Sequence, residues 1–413
     1  MAVPFCQTKC TYCNFHTGVV SAERFGPYVE AVCAEIRERS EVKEVEGINE
    51  VKEKHVVDTV YFGGGTPSLL EPTLLAKILD ALRENFACEF VEVTLEADPE
   101  TVTAEKAEAW VAAGINRMSF GVQSFVDKEL AAAGRMHRRE DIYRAVPILR
   151  AAGITNISFD LIAGLAWQTR ESWKESLREL IALGPEHVSI YLLEIDEGSR
   201  LGAEILKGGE KYSASAVVSE DVMAEFYEVA CEKLRDAEYE HYEISNWAKP
   251  ERESRHNLKY WRREEYLGFG AGAHSFFGGY RWANAHDAAE YVKTFDGVKE
   301  VESAHPLPIN SGQAGMAVPL FPMAASAANG KRERVEQLEE ITEEKALEEE
   351  LFLGLRQLAG IDLARIEKRY GVTLASKFDP LVASGMVKRD GDVVRLAEER
   401  LSVSNEVFVE LLK

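Results

Sequence analysis

"VVDTVYFGGG" (residues 56–65) ends on three glycines and is followed by "LLAKILDALREN" (74–85) and then "FVEVTLEAD" (90–98). The first and third stretches are short, β-branched and apolar, of strand length. The second repeats apolar residues at three- and four-residue steps, the mark of a helix with one buried face. Strand, helix, strand is a parallel unit, because a chain that leaves a strand through a helix returns to pair alongside it. The alternation continues outward. "RMSFGVQS" (117–124), "NISFDLIAG" (156–164) and "HVSIYLLEI" (187–195) read as further buried strands, and "EDIYRAVPILRAAG" (140–153) reads as a helix stopped by glycine. With one more strand expected beside the cysteine-rich start, the pattern predicts an α/β fold, a partial parallel (β/α)6 TIM-like barrel with helices outside. Chemistry in such barrels gathers at the C-terminal ends of the strands, and each of these stretches ends there in polar or glycine residues.

"PFCQTKCTYCNF" (4–15) places Cys6, Cys10 and Cys13 within eight residues. Loops this short oppose convergence only weakly, at roughly 0.6 kcal/mol per doubling of loop length, so all three thiols can serve one centre. Thiolates favour soft metals and iron–sulfur clusters. Structural zinc is an equal reading of the cysteines alone, since His16 completes a Cys3His set, and three incidental thiols are a third. Cys33, Cys88 and Cys231 fall in helix- or strand-like stretches and read as ordinary buried residues. Only Met1 to Phe5 precede Cys6, so the first strand is expected to be unusually short or partly missing.

The formal net charge of -22 argues against a general affinity for nucleic acid, which needs clustered Lys and Arg. No run of about 18 apolar residues marks a membrane span, so any membrane contact would be peripheral. The start lacks the basic-then-apolar pattern of a signal peptide, which points to the cytoplasm. There the six cysteines suit metal or redox work better than disulfides.

Beyond residue 200 the periodicity becomes irregular. A barrel core is expected over 1–205, with a completing region over 206–300. Residues 301–340 read as a flexible low-complexity insertion, rich in Ala, Gly and Pro over 305–334. The last part, 341–413, carries two short helical stretches and then "MVKRDGDVVRL", a hairpin with an Asp-Gly turn. That order suggests an α+β extension ending in a small winged-helix-like domain, a structural or docking cap rather than a DNA reader.

Candidate ligand contacts gather at the strand ends. Gly63, Gly64 and Gly65 let backbone amides approach a ligand, and Glu96, Gln123 and Asp160 end later strands, with Arg135 in the loop "GRMHR". Each alone reads more simply as a solvated polar residue; their joint placement on one barrel face is what points to a site.

The whole set of motifs resembles the radical S-adenosylmethionine (SAM) superfamily, in the group that contains oxygen-independent coproporphyrinogen III oxidase and the haem chaperone HemW. The resemblance runs from "PFCQTKCTYCNF" through "GGGTPS", "LEADPE", "SFGVQSF", "GRMHR", "DLIAGL", "YEISNWA" and "HNLKYW" to "YLGFGAGAHSF". It implies a [4Fe-4S] cluster held by Cys6, Cys10 and Cys13, with the fourth iron open to the amino and carboxylate groups of SAM. Carried over by motif, the SAM contacts are Tyr12, Gly64, Gly65, Thr66, Glu96, Gln123, Arg135 and Asp160. Glu96 and Asp160 would stand near the amino and ribose groups, and Arg135 would offer a fork to a carboxylate. A further tyrosine that the family places before the cysteines is absent. The oxidase pattern has a fourth cysteine two residues after the third, where this chain has Phe15, and this favours the chaperone-like branch. "HNLKYW" (256–261) matches that branch's HNxxYW motif and implies haem held by His256, Asn257, Tyr260 and Trp261; without the match, a core histidine beside two core aromatics is the simpler reading. His274 is expected to be structural, near the SAM pocket. The implied function is haem chaperoning, with delivery to apo-haem proteins of the respiratory chain. The alternatives are the oxidase, a radical-SAM enzyme of unknown substrate, and a zinc-bearing structural protein.

Overall fold

The computed structural model describes residues 1–40, 56–295 and 335–411. Six parallel strands stand side by side in chain order: β1 (Ala2–Val3), β2 (Val56–Gly64), β3 (Ala87–Ala97), β4 (Arg117–Gln123), β5 (Asn156–Ala163) and β6 (His187–Leu192). Two antiparallel strands, β7 (Glu240–Glu243) and β8 (Asn246–Ala248), extend the sheet in the order β1-β2-β3-β4-β5-β6-β8-β7. The expected (β/α)6 partial barrel is therefore present, and its first strand is two residues long.

The outer face of the sheet is apolar. Phe62, Leu95, Phe120, Phe159 and Ile190 are buried there with Leu79, Trp110, Leu149 and Leu177 of the surrounding helices. Three of those helices, Ala104–Ala113, Arg139–Ala152 and Arg170–Leu183, stop at Gly114, Gly153 and Gly184 in the left-handed conformation that spares glycine a Cβ clash.

The inner face differs. Pairing brings Thr59 beside Glu92, Tyr61 beside Thr94 and Thr94 beside Arg117. It continues with Glu96 beside Ser119, Ser119 beside Ser158, Ser158 beside His187, and Asp160 beside Ser189. A closed TIM barrel fills this space with branched aliphatic side chains. Here the sheet is open and its concave wall is polar, which suits a polar ligand.

The unpaired side of β1 is covered by the "GFGAGA" loop (268–273). The Ala2 amide donates to the Phe269 carbonyl at 2.8 Å, and a Cβ on Gly270 would lie 2.4 Å from the Ala2 carbonyl oxygen. The loop can seal the edge only because it carries no side chain at that point. Buried Glu35 fixes the seal, accepting from the Gly270 amide at 3.0 Å, Asn284 Nδ2 at 2.8 Å and the Tyr291 hydroxyl at 2.5 Å.

The chain beyond 200 is more regular than the sequence reading expects. Glu220–Asp236 is a helix that buries Met223, Phe226, Tyr227, Ala230 and Leu234, a helical spacing interrupted by charged residues on the other face. A small antiparallel sheet follows, built from β9 (His274–Phe277), β10 (Tyr280–Asn284) and β11 (Val335–Glu340) in the order β11-β10-β9. Of the expected insertion, 301–334 lies outside the described residues, and 335–340 is strand. At the end, β12 (Ile361–Asp362), β13 (Val387–Asp390) and β14 (Val393–Leu396) pair in the order β12-β14-β13 beside the helices Leu363–Tyr370 and Ala375–Ala383. The hairpin turns one residue later than the Asp-Gly signal suggests. Gly391 (φ 61°) and Asp392 are its centre, and only the glycine needs positive φ.

Candidate functional site

The cysteine loop leaves β1 and is clipped on three sides. The Gly65 and Thr66 amides donate to the Val3 and Phe5 carbonyls at 2.8 and 2.7 Å. Thr11 donates to Ala133 at 3.0 Å, and the Leu201 amide donates to Thr11 at 2.8 Å. A Cβ on Gly65 would fall 2.5 Å from the Phe5 carbonyl oxygen, so the glycine run of β2 is a cradle for this loop as much as for a ligand. Burial raises the Cys6 and Cys10 thiols above their ordinary range. Arg135 Nη1 donates to Cys10 Sγ at 3.6 Å and pulls the other way, toward the thiolate. His16 is turned instead toward His286, with ring centroids 4.4 Å apart. Among the described residues no three His, Cys, Asp or Glu stand together at single-ion distances. That holds for Cys6, Cys10 and Cys13 as well as for a Cys3His set, so the loop carries the three thiols close in sequence but not gathered on one point, with His16 directed elsewhere.

Above this loop the strand ends carry two carboxyls, with buried Arg117 acting on Asp160 and the Met1 ammonium on Glu96 from a distance. Glu96 accepts from the Tyr61 hydroxyl at 2.8 Å and the Gly64 amide at 3.1 Å. Burial raises it to about 7, against those two hydrogen bonds, and Asp160 adds to the rise. Asp160 is raised by burial too, while Ser119 donates to it at 3.2 Å. Neither has an ion-pair partner among the described residues. Two desolvated carboxyls on one inner wall, neither of them in an ion pair, suit a positively charged ligand.

Gln123 ends β4 with φ 64°, a backbone conformation rare outside glycine and tolerated where the surroundings force it. Gly121 makes room: a Cβ there would lie 2.9 Å from Gln123 Nε2 and 3.1 Å from Arg135 Nη2. Tyr12 packs beside the second apolar cluster, with Leu165, Leu201 and Met223. Thr66 donates from Oγ1 to Asp98 Oδ2 at 3.1 Å. Arg135 is engaged by the protein's own groups. Its guanidinium pairs with Asp98 and donates to the Gly121 carbonyl at 2.9 Å, so its fork is already filled and it acts on Cys10 rather than on an open space. Asp98 escaped the sequence reading although it stands in "LEADPE", because its partners lie far off in the chain.

The residues read for haem lie deeper in the barrel. His256 Nδ1 shares a hydrogen bond of 2.9 Å with Thr59 Oγ1, and Nε2 shares one of 2.9 Å with the Tyr260 hydroxyl. Burial holds His256 down to about 3, so the imidazole is neutral. Its helix, Arg255–Trp261, begins on Glu92, whose carboxyl accepts from the Arg255 and His256 amides at 3.0 and 2.9 Å. Asn257 donates its amide to Ser254 Oγ at 3.3 Å, and Trp261 packs against Tyr242 at 5.9 Å. Tyr61 bridges the two levels, its ring stacked on His256 at 5.4 Å. The sequence reading missed Thr59, Tyr61 and Glu92; their one signal is the polar residue at every second position of β2 and β3. His274 is exposed at the start of β9, 6.5 Å from His286. Cys33 is buried, whereas Cys88 and Cys231 are only partly so.

Comparison with known proteins agrees with this architecture. The Radical SAM superfamily description matches residues 2–180, and the HemN C-terminal domain matches 341–399. The chain is 31% identical to the heme chaperone HemW of Bacillus subtilis over 98% of its own length and 96% of that protein. It is 34% identical to HemW of Synechocystis, over 88% of this chain and 79% of that protein. In fold it is similar to the Escherichia coli coproporphyrinogen III oxidase HemN, a radical SAM enzyme, with a TM-score of 0.77 over 99% of this chain and 88% of that one, at 20% identity. No helix among the described residues is long and apolar enough to cross a membrane. With the paired polar barrel wall and these relatives, the chain belongs to the HemW family of the radical SAM superfamily.

Proposed function

We propose that this protein is a haem chaperone: it binds a [4Fe-4S] cluster, SAM and haem, and passes haem to apo-haem proteins of the respiratory chain. The observation that carries the choice over the oxidase is Phe15, which stands 65% exposed where an oxidase loop has its fourth cysteine. Cys6, Cys10 and Cys13 would hold the cluster, which supplies one iron open to an outside ligand. Glu96 and Asp160 would receive the positive groups of SAM, with Gly64, Gly65, Thr66, Gln123 and Tyr12 shaping the walls. Arg135 and Asp98 hold the loop and the Cys10 thiol in place.

Haem goes to His256 in this reading. Thr59 already fixes Nδ1, the kind of orienting bond that a metal-bound imidazole keeps on its other nitrogen. Nε2 is released when the partly exposed Tyr260 swings aside, and Tyr260 and Trp261 offer aromatic surface to the porphyrin. His256→Ala is expected to weaken haem binding, read as a lost or shifted Soret band, and to leave the cluster spectrum intact; unchanged haem affinity removes His256 from the site. The function itself is tested with reconstituted protein, SAM, reductant and coproporphyrinogen III. Useful rates of oxidative decarboxylation would replace the chaperone by the oxidase.

A further inference from the structure

Strand β2 carries three consecutive inward positions with different duties. Thr59 holds His256 Nδ1, Tyr61 comes next, and Gly63 follows with no side chain. A Cβ on Gly63 would lie 2.9 Å from the Tyr61 ring and 3.0 Å from the Glu96 carboxyl carbon, so this position is empty to let those two groups meet. They do meet: the Tyr61 hydroxyl donates to Glu96 Oε1 at 2.8 Å. On its other side the same ring stacks on the His256 imidazole, 5.4 Å between centroids and 27° between planes. One partly buried side chain therefore touches both the carboxyl proposed for SAM and the imidazole proposed for haem.

We propose that Tyr61 is a positioning residue that aims Glu96 at the ammonium of SAM while backing the His256 ring, so that SAM and haem occupancy are coupled through it. The inference rests on the functional reading above. When SAM pairs with Glu96, the carboxyl is fixed and the Tyr61 hydroxyl with it. The ring is then held against His256, and the imidazole loses less freedom on taking up iron. Coupling is thus positive, and reciprocity makes it equal in both directions.

The test uses the full chain with its cluster reconstituted, SAM binding by calorimetry, and haem binding by the Soret band. Tyr61→Phe keeps the ring and removes the hydroxyl. Its SAM dissociation constant is expected to rise about tenfold, or about 1.4 kcal/mol, with haem affinity in the absence of SAM unchanged. Tyr61→Leu removes both contacts and is expected to weaken both ligands. The wild-type ratio of haem affinities with and without SAM, roughly fivefold, falls to one in this variant. A Tyr61→Phe protein that binds SAM like wild type, or a coupling ratio that survives in Tyr61→Leu, overturns the inference while leaving the haem-chaperone reading in place. Wild-type protein that binds neither ligand sinks that reading itself, and the inference with it. Phe is close to isosteric, and a native cluster spectrum in the variant checks that it has folded.

Discussion

Glu92 and Glu96 stand four residues apart on one strand, face the same way, and lead different lives. Glu92 accepts from the Arg255 and His256 amides at 3.0 and 2.9 Å and from Ser254 Oγ at 3.5 Å. Its acceptors are occupied by the protein's own chain, so it is a fastening. Glu96 has one hydroxyl and one amide, stands at the C-terminal end of the strand, and is raised to about 7 because burial, with Asp160 adding to it, outweighs those two hydrogen bonds. A buried acid completed by backbone donors holds structure; one left short of positive charge awaits a ligand.

That contrast breaks most visibly on substitution. Glu92→Ala strands three donors at the start of the His256 helix, and hydrogen bonds to a charged acceptor are worth about 1.5–3 kcal/mol each. A stability loss of about 3 kcal/mol or more is expected in denaturant unfolding, with haem binding weakened and SAM binding by the folded fraction little changed. Glu96→Gln should do the reverse. Stability at neutral pH holds or improves, while SAM affinity falls about 30- to 100-fold, or about 2–3 kcal/mol. Equal effects on stability from the two variants would erase the distinction.

The pH dependence sharpens it. A carboxyl whose folded pKa lies above its unfolded value keeps its proton longer when folded, so the folded state binds more protons between about 4.5 and 7. The ligand-free protein therefore loses stability as pH rises through that window, by at most about 3 kcal/mol from this group and by less because water reaches the mouth. SAM affinity moves the other way, strengthening as pH rises through about 7 and Glu96 ionises. In Glu96→Gln both slopes flatten. A SAM-binding curve with the same pH profile in wild type and variant would take Glu96 out of the ammonium site.

The sequence showed the barrel readily, because each strand is a short apolar run and each helix a clear three-and-four repeat. The strand-end residues were legible through their motifs. The wall between them was not, although Thr59 and Tyr61, Thr94 and Glu96, and Ser158 and Asp160 alternate in plain view. A polar residue at every second position reads as a solvated face, and only the curvature of the sheet turns that face inward. Glu92 and Thr59 were harder still. Their partners lie 164 and 197 positions away, and no local spacing signals such a pairing. Arg135 shows the same difficulty: its ion-pair partner Asp98, the first residue after β3, lies 37 positions away in the chain.

The smallest expected effect bears on the inner end of the comparison. Thr59→Val keeps the shape of the side chain and removes the hydroxyl that fixes His256 Nδ1 at 2.9 Å. One neutral hydrogen bond is worth about 0.5–1.5 kcal/mol, so global stability should fall by about 1 kcal/mol. If His256 is a ligand, the loss has a second readout that simple packing would not give. The imidazole can rotate, its basicity toward iron drops, and the Soret position or the midpoint potential of bound haem shifts. Serine at the same position restores the hydroxyl and should restore the spectrum. A Thr59→Val protein that loses stability yet binds haem with an unaltered spectrum would make the Thr59–His256 bond a fastening like that of Glu92, and would move the haem iron elsewhere.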